Sequence, residues 1–135
     1  MTSVTYSEAR EAIYQRWADN APLPDWTLAN EKYTAPNDTA WARITVNHEN
    51  GEQDSLGRIG QRKFLRRGRV LIQLFGQVDN GLQDLDVLAI AARAIFEGTT
   101  FAGISFIGAD IRESGQDGEW YQILIDAPFD YQETK

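Results

Sequence analysis

The chain has 135 residues, 42% of them hydrophobic, with four Trp, five Tyr and six Phe, and a net charge of −7. This suits a single domain that buries roughly two-thirds of its extended surface, and it excludes wholesale disorder. The absence of cysteine excludes disulfides and thiolate metal sites, no apolar run reaches the ~18–20 residues of a membrane-spanning helix, and the acidic balance disfavours nucleic-acid or anionic-membrane binding over the whole surface.

The N-terminus is charged throughout and lacks an apolar h-region, so the expectation is a soluble intracellular protein. Thr5 and Glu8 form a capping-box pattern, and Tyr6, Ala9, Ile13 and Trp17 recur on one face, which predicts a first helix over about 6–19. Asn20 and Pro22 stop it. Three of the four prolines (Pro22, Pro24, Pro36) fall in 20–39, which reads as an extended connection lying on the body through Trp26, Leu28 and Tyr33. Alternation of Ala42, Ile44 and Val46 with Trp41, Arg43 and Thr45 predicts a strand over about 40–47.

Residues 47–60, with three glycines and three acids, read as a long mobile loop. A strand follows over about 64–76, with Gly68 as a candidate bulge. Asp79-Asn80-Gly81 offers a cap for a second helix over about 82–97, with a stripe of Leu85, Leu88, Ala89, Ala92, Ile95 and Phe96 and a stop at Gly98. The last third reads as a hairpin, with strands over about 103–112 and 119–127 and an end at Pro128. The expected fold is α+β: a mainly antiparallel sheet of about four strands with two helices packed on one face, in the order α-β-β-α-β-β, as one domain over 1–135.

Catalytic patterns are sparse. The single histidine, His48, sits in the polar loop and reads as solvated; a Ser-His-Asp arrangement would need it held against Ser55 or another serine. His48, Glu49, Glu52 and Asp54 lack the pattern of a calcium loop, and zinc sites use Cys or several His. Asp84 and Asp86, two apart on a helix, point away from each other. Neither GxxxxGK[ST] nor GxGxxG occurs. The expectation is no enzyme, no cofactor and no metal.

The charge distribution is more informative. Residues 58–69, RIGQRKFLRRGR, hold six of the thirteen basic side chains and no acid, and run directly into the apolar strand VLIQLF. Strand alternation puts Arg67 and Arg69 on one face and Arg66 on the other. A docking surface for a partner, a solvated strand face and neutralisation of the preceding acidic loop are the competing readings.

Trp41-x-Arg43-Ile44, then Ser55-Leu56-Gly57 with Gly60 and Arg62, then Arg66-Arg67-Gly68-x-Val70-x-Ile72-Gln73-x-Phe75 form an ordered series. It continues in Gly118-x-Trp120-Tyr121-Gln122 and Ala127-Pro128-Phe129-x-Tyr131. Over about 40–131 this series resembles the tail terminator-like proteins of long-tailed bacteriophages. The resemblance implies a structural virion protein in the tail, assembled in the bacterial cytoplasm as a ring, commonly a hexamer. It would cap the head-proximal end of the tail tube, end tube polymerisation and form the joint to the head-completion proteins. Its partners would be the tail tube protein, a head-completion or connector protein and further copies of itself, with DNA passing through without specific binding. Arg43, Arg58, Arg62, Lys63, Arg66, Arg67 and Arg69 are the candidate contact residues. The alternative is a small nucleic-acid-binding module using 58–69.

Overall fold

The first helix forms where its cap is complete. The backbone N–H of Thr5 donates to Glu8 Oε1 (3.0 Å) and that of Glu8 to Thr5 Oγ1 (3.3 Å), closing a reciprocal capping box. Hydrogen bonding from the Thr5 side chain, then from its backbone N–H, holds the Glu8 carboxyl below its usual range. In the computed structural model, which describes residues 3–29, 31–34, 39–77 and 83–135, helix α1 spans Tyr6–Asn20 and buries Ala9, Ile13 and Trp17. The remaining elements are β1 (Trp26–Leu28), β2 (Trp41–Gln53), β3 (Lys63–Gln77), α2 (Gln83–Phe96), β4 (Thr100–Phe101), β5 (Ile104–Phe106), β6 (Asp110–Asp117) and β7 (Trp120–Thr134). The expected Asp79-Asn80-Gly81 cap lies outside the described residues.

The architecture corrects the expected four-stranded sheet and its α-β-β-α-β-β order. Among the described residues the sheet has seven strands, in the order β1-β2-β3-β7-β5-β4 with β6 also on β7, and it is mixed, because β1 pairs parallel to β2. Each extra strand has a physical reason. β1 is three residues long, too short to show a period, and is held by Trp26↔Ala42 and Leu28↔Ile44 pairing. The expected 103–112 arm is broken, because β5 and β6 pair with different halves of the same edge of β7.

β7 does not end at Pro128. β5 pairs with residues 129–131 and β6 with residues 120–126, so Pro128 sits in the interval that neither strand covers. There its missing N–H removes no ladder bond on that edge. The segment expected to be a loop over 47–60 begins as strand, since β2 continues to Gln53 paired with β3 as far as Phe64.

The core lies between the sheet and the two helices. Ala42, Ile44 and Val46 stand opposite Leu74, Ile72 and Val70, which in turn face Ile123, Ile125 and Ala127 across β7. These side chains pack with Ile13 and Trp17 of α1 and with Leu85, Ala89, Ala92 and Phe96 of α2. Arg16 Nε donates to the Ile95 carbonyl (2.7 Å) and joins the helices.

Candidate assembly surface

β3 and β7 each have fifteen residues and span roughly 50 Å, whereas the fifteen residues of α1 cover about 22 Å. The strands therefore run beyond their helical cover. Their distal parts, 63–69 and 128–134, form a blade with residues 47–53 of β2, and β5 pairs along its outer edge at 129–131.

An aromatic chain stiffens the blade. Phe106 packs on Phe129 (5.5 Å between centroids), Phe129 on Tyr131 (6.1 Å), Tyr131 edge-on to His48 (5.7 Å), and His48 on Tyr6 of α1 (3.9 Å). At the end of β7, Val4 N–H donates to the Gln132 carbonyl (3.0 Å) and Thr134 N–H to Ser3 Oγ (3.0 Å).

His48 is thus no solvated loop residue, which corrects the sequence reading. It lies on β2, half-buried, with Nε2 2.7 Å from Tyr131 Oη. Burial first, then the charges of Arg10 and Arg66, hold its imidazole below the usual value of 6.5. Burial likewise pushes the Tyr131 phenol up, so it stays protonated. Because the folded state disfavours His48 protonation, the unfolded chain binds the extra proton. Stability from this group is complete above about pH 6.5 and falls as the pH drops through the depressed folded value. The melting temperature should therefore decline on acidification through this window, and His48→Gln should flatten the decline. An equal slope in the variant would remove His48 from the account.

The candidate cations divide into two groups. Arg66 folds back on its own chain, with Nη2 3.1 Å and Nε 3.2 Å from Glu133 Oε1. Gly51 makes room for it, since a Cβ there would lie 3.1 Å from Arg66 Cδ. Arg67 pairs with Glu52 (3.2 Å). Arg69 Nε reaches Glu49 (2.7 Å) and its Nη1 reaches Asp126 Oδ2 (2.7 Å), an oxygen that also accepts from Arg112 (3.2 Å). The hydrogen bond to Asp126 is the main cause that raises the Arg69 pKa. Asp126 is only 5% exposed in its side chain and is the anionic hub of this face. The register confirms that Arg67 and Arg69 share one face and Arg66 takes the other.

The remaining cations are freer. Arg43 lies over the Trp41 ring (5.4 Å), and Arg62 over Phe64 (5.5 Å) while its Nε donates to the Lys135 carbonyl (3.3 Å). Among the described residues, Arg58 and Lys63 have no ion-pair partner. Arg58 belongs to the β2–β3 connection and Lys63 opens β3, and the connection is held in shape. Asp54 N–H donates to the Lys63 carbonyl (2.7 Å), Lys63 N–H to Ser55 Oγ (3.0 Å), and Gln61 N–H to the Arg58 carbonyl (2.9 Å).

Reasoning from charge missed two residues on this tip. Leu56 is 95% and Ile59 86% exposed, one on either side of Gly57-Arg58. Their signal was two isolated aliphatics in a glycine-rich polar connection. The outer face of α2 adds exposed Val87 and Ile90. Among the described residues no group of three His, Asp or Glu side chains is placed to hold a metal ion. No described helix is long and apolar enough to cross a membrane.

No family model matches the chain, and no curated protein matches it. Sixteen chains of solved structures do. One of them superposes over 97% of this chain and 98% of its own length, with a TM-score of 0.73 and 16% identity. At that identity the likeness shows the fold alone.

Proposed function

We propose that the chain is a structural virion protein that caps the head-proximal end of a phage tail tube, ends its polymerisation and forms the joint to the head-completion proteins. The sequence pattern over about 40–131 supports this reading. The observation that carries it is the hairpin tip: two fully presented aliphatic side chains beside a cation with no ion-pair partner among the described residues, at the end of a stiff β blade. A rigid tip that leaves Leu56 and Ile59 in water is suited to docking, because little order remains to be imposed on binding.

The contact centre lies at Arg58, Lys63, Leu56 and Ile59, and not along Arg66, Arg67 and Arg69, whose charges are answered within the chain. Repeated copies would meet through two different patches, an arrangement that closes as a ring where the rotation between copies permits. A ring bound to the last tier of a tube denies the next tube subunit its surface. Added to polymerising tube protein in substoichiometric amount, the protein should give tubes of bounded length, scored by electron microscopy. Unlimited growth in its presence would refute the capping role.

One observation favours a second reading, a single-strand nucleic-acid module. Arg62, Arg66 and Lys135 place their charges 5.5, 5.1 and 5.4 Å from the centroid of Phe64. Cations around a ring are what a strand's phosphates and bases require. That reading requires affinity for single-stranded DNA that falls steeply with salt, and no binding at low ionic strength would reject it.

A further inference from the structure

We propose that the β2–β3 tip of one copy seats in the groove between α1 and β1 of a second copy. This rests on the assembly reading of the same tip and names its partner as this chain itself. The groove has a volume of about 520 Å³ and is lined by Tyr6, Arg10, Tyr14, Trp26 and Leu28, with Glu11 also in its lining; the Arg10 guanidinium is held to Tyr6 Oη (2.8 Å) and to the Val46 carbonyl (3.2 Å). A cleft of that size holds two aliphatic side chains with room for the backbone between them.

The knob and the hole match in shape, and one charge on each side can be paired. Leu56 and Ile59 flank Gly57-Arg58, so a single turn of chain can lower both into an aromatic-lined cleft and carry the guanidinium to its edge. Arg58 is exposed and without an ion-pair partner among the described residues, and so is Glu11. Pairing Arg58 with Glu11 across the contact answers both charges at once. The tip lies beyond the helical cover while the groove lies beside it at the β1 edge of the sheet, so the two patches differ and every copy carries both. Such a contact is heterologous. It propagates from copy to copy and closes wherever the rotation permits.

The test uses the full chain alone, without tube protein, in native mass spectrometry and sedimentation over a concentration series. The wild type should associate reversibly. Arg58→Glu and Glu11→Arg should each weaken association by roughly an order of magnitude, and the double exchange should restore most of it. Leu56→Glu with Ile59→Glu should abolish it, while circular dichroism and melting stay those of the wild type because all four side chains are exposed. A wild type that stays monomeric throughout, or a double exchange no better than either single change, overturns the contact. Association that follows this pattern without any effect on tube length would instead refute the capping role and leave the contact standing.

Discussion

Gly68→Val should destabilise the protein by about 3 kcal/mol or more and lower its melting temperature by about 10 °C. A Cβ at Gly68 would crowd the Asn47 carbonyl oxygen and come within 2.6 Å of Phe129 Cζ. The carbonyl belongs to β2 beside the bulge at His48/Asn50, so it cannot retreat without opening the β2–β3 ladder. The Phe129 ring cannot retreat freely either, because it is buried between Phe106 and Tyr131.

The sequence expectation of a bulge at Gly68 is off by one strand: the extra residue, Glu49, lies opposite it on β2. Its carboxylate meets Arg69. Gly68 is thus the place where a ring crosses bare backbone, and the aromatic chain that stiffens the blade runs over it. Gly57→Ala is the control, since the nearest atom to its Cβ would be 3.7 Å away. That change should stay within about 0.5 kcal/mol of wild type. Equal melting of Gly68→Val and wild type would show that the blade does not depend on this crossing.

Trp17→Ala should cost about 3 kcal/mol, at the lower end of the ~3–5 expected for truncating a buried aromatic. Trp17 heads the fully buried side chains and meets Trp26 edge-on at 6.2 Å, so it fixes α1 against β1. The cost is moderated because its indole Nε1 is buried without a hydrogen-bond partner, and the truncation removes that orphan donor. Trp17→Phe should accordingly be milder, retaining most of the apolar contact. Chemical denaturation reads both variants. The alanine variant should also lose self-association, because the groove between α1 and β1 depends on this contact. A cost below about 1 kcal/mol would place α1's anchoring elsewhere.

What the chain discloses unaided follows the range of the interactions involved. The α1 cap is made within four residues, and it was legible from Thr5 and Glu8. The face of each arginine in β3 follows from two-residue alternation, and it was legible too. Pairing partners were not. Arg66 finds Glu133 and Arg69 finds Asp126 across β7, far along the chain, and no local pattern announces them.

The polar run of β2 after Val46 escaped for a related reason. Beyond the helices much of the strand meets water, so no apolar alternation marks it. Pro128 misled because its rule concerns an N–H that must be donated, and the interval between β5 and β6 asks for none. At the candidate surface, charge was the visible feature and exposure the decisive one. Most of the basic run is satisfied internally, while Leu56 and Ile59, which charge counting ignores, stand in solvent.

The most direct measurement of the account is the length distribution of tail tubes polymerised with the wild-type chain and with Leu56→Glu/Ile59→Glu. Bounded tubes with the wild type and unbounded tubes with the folded variant are the predicted pair. Tubes that grow without limit beside the wild-type protein, or that remain equally short beside the variant, would contradict it.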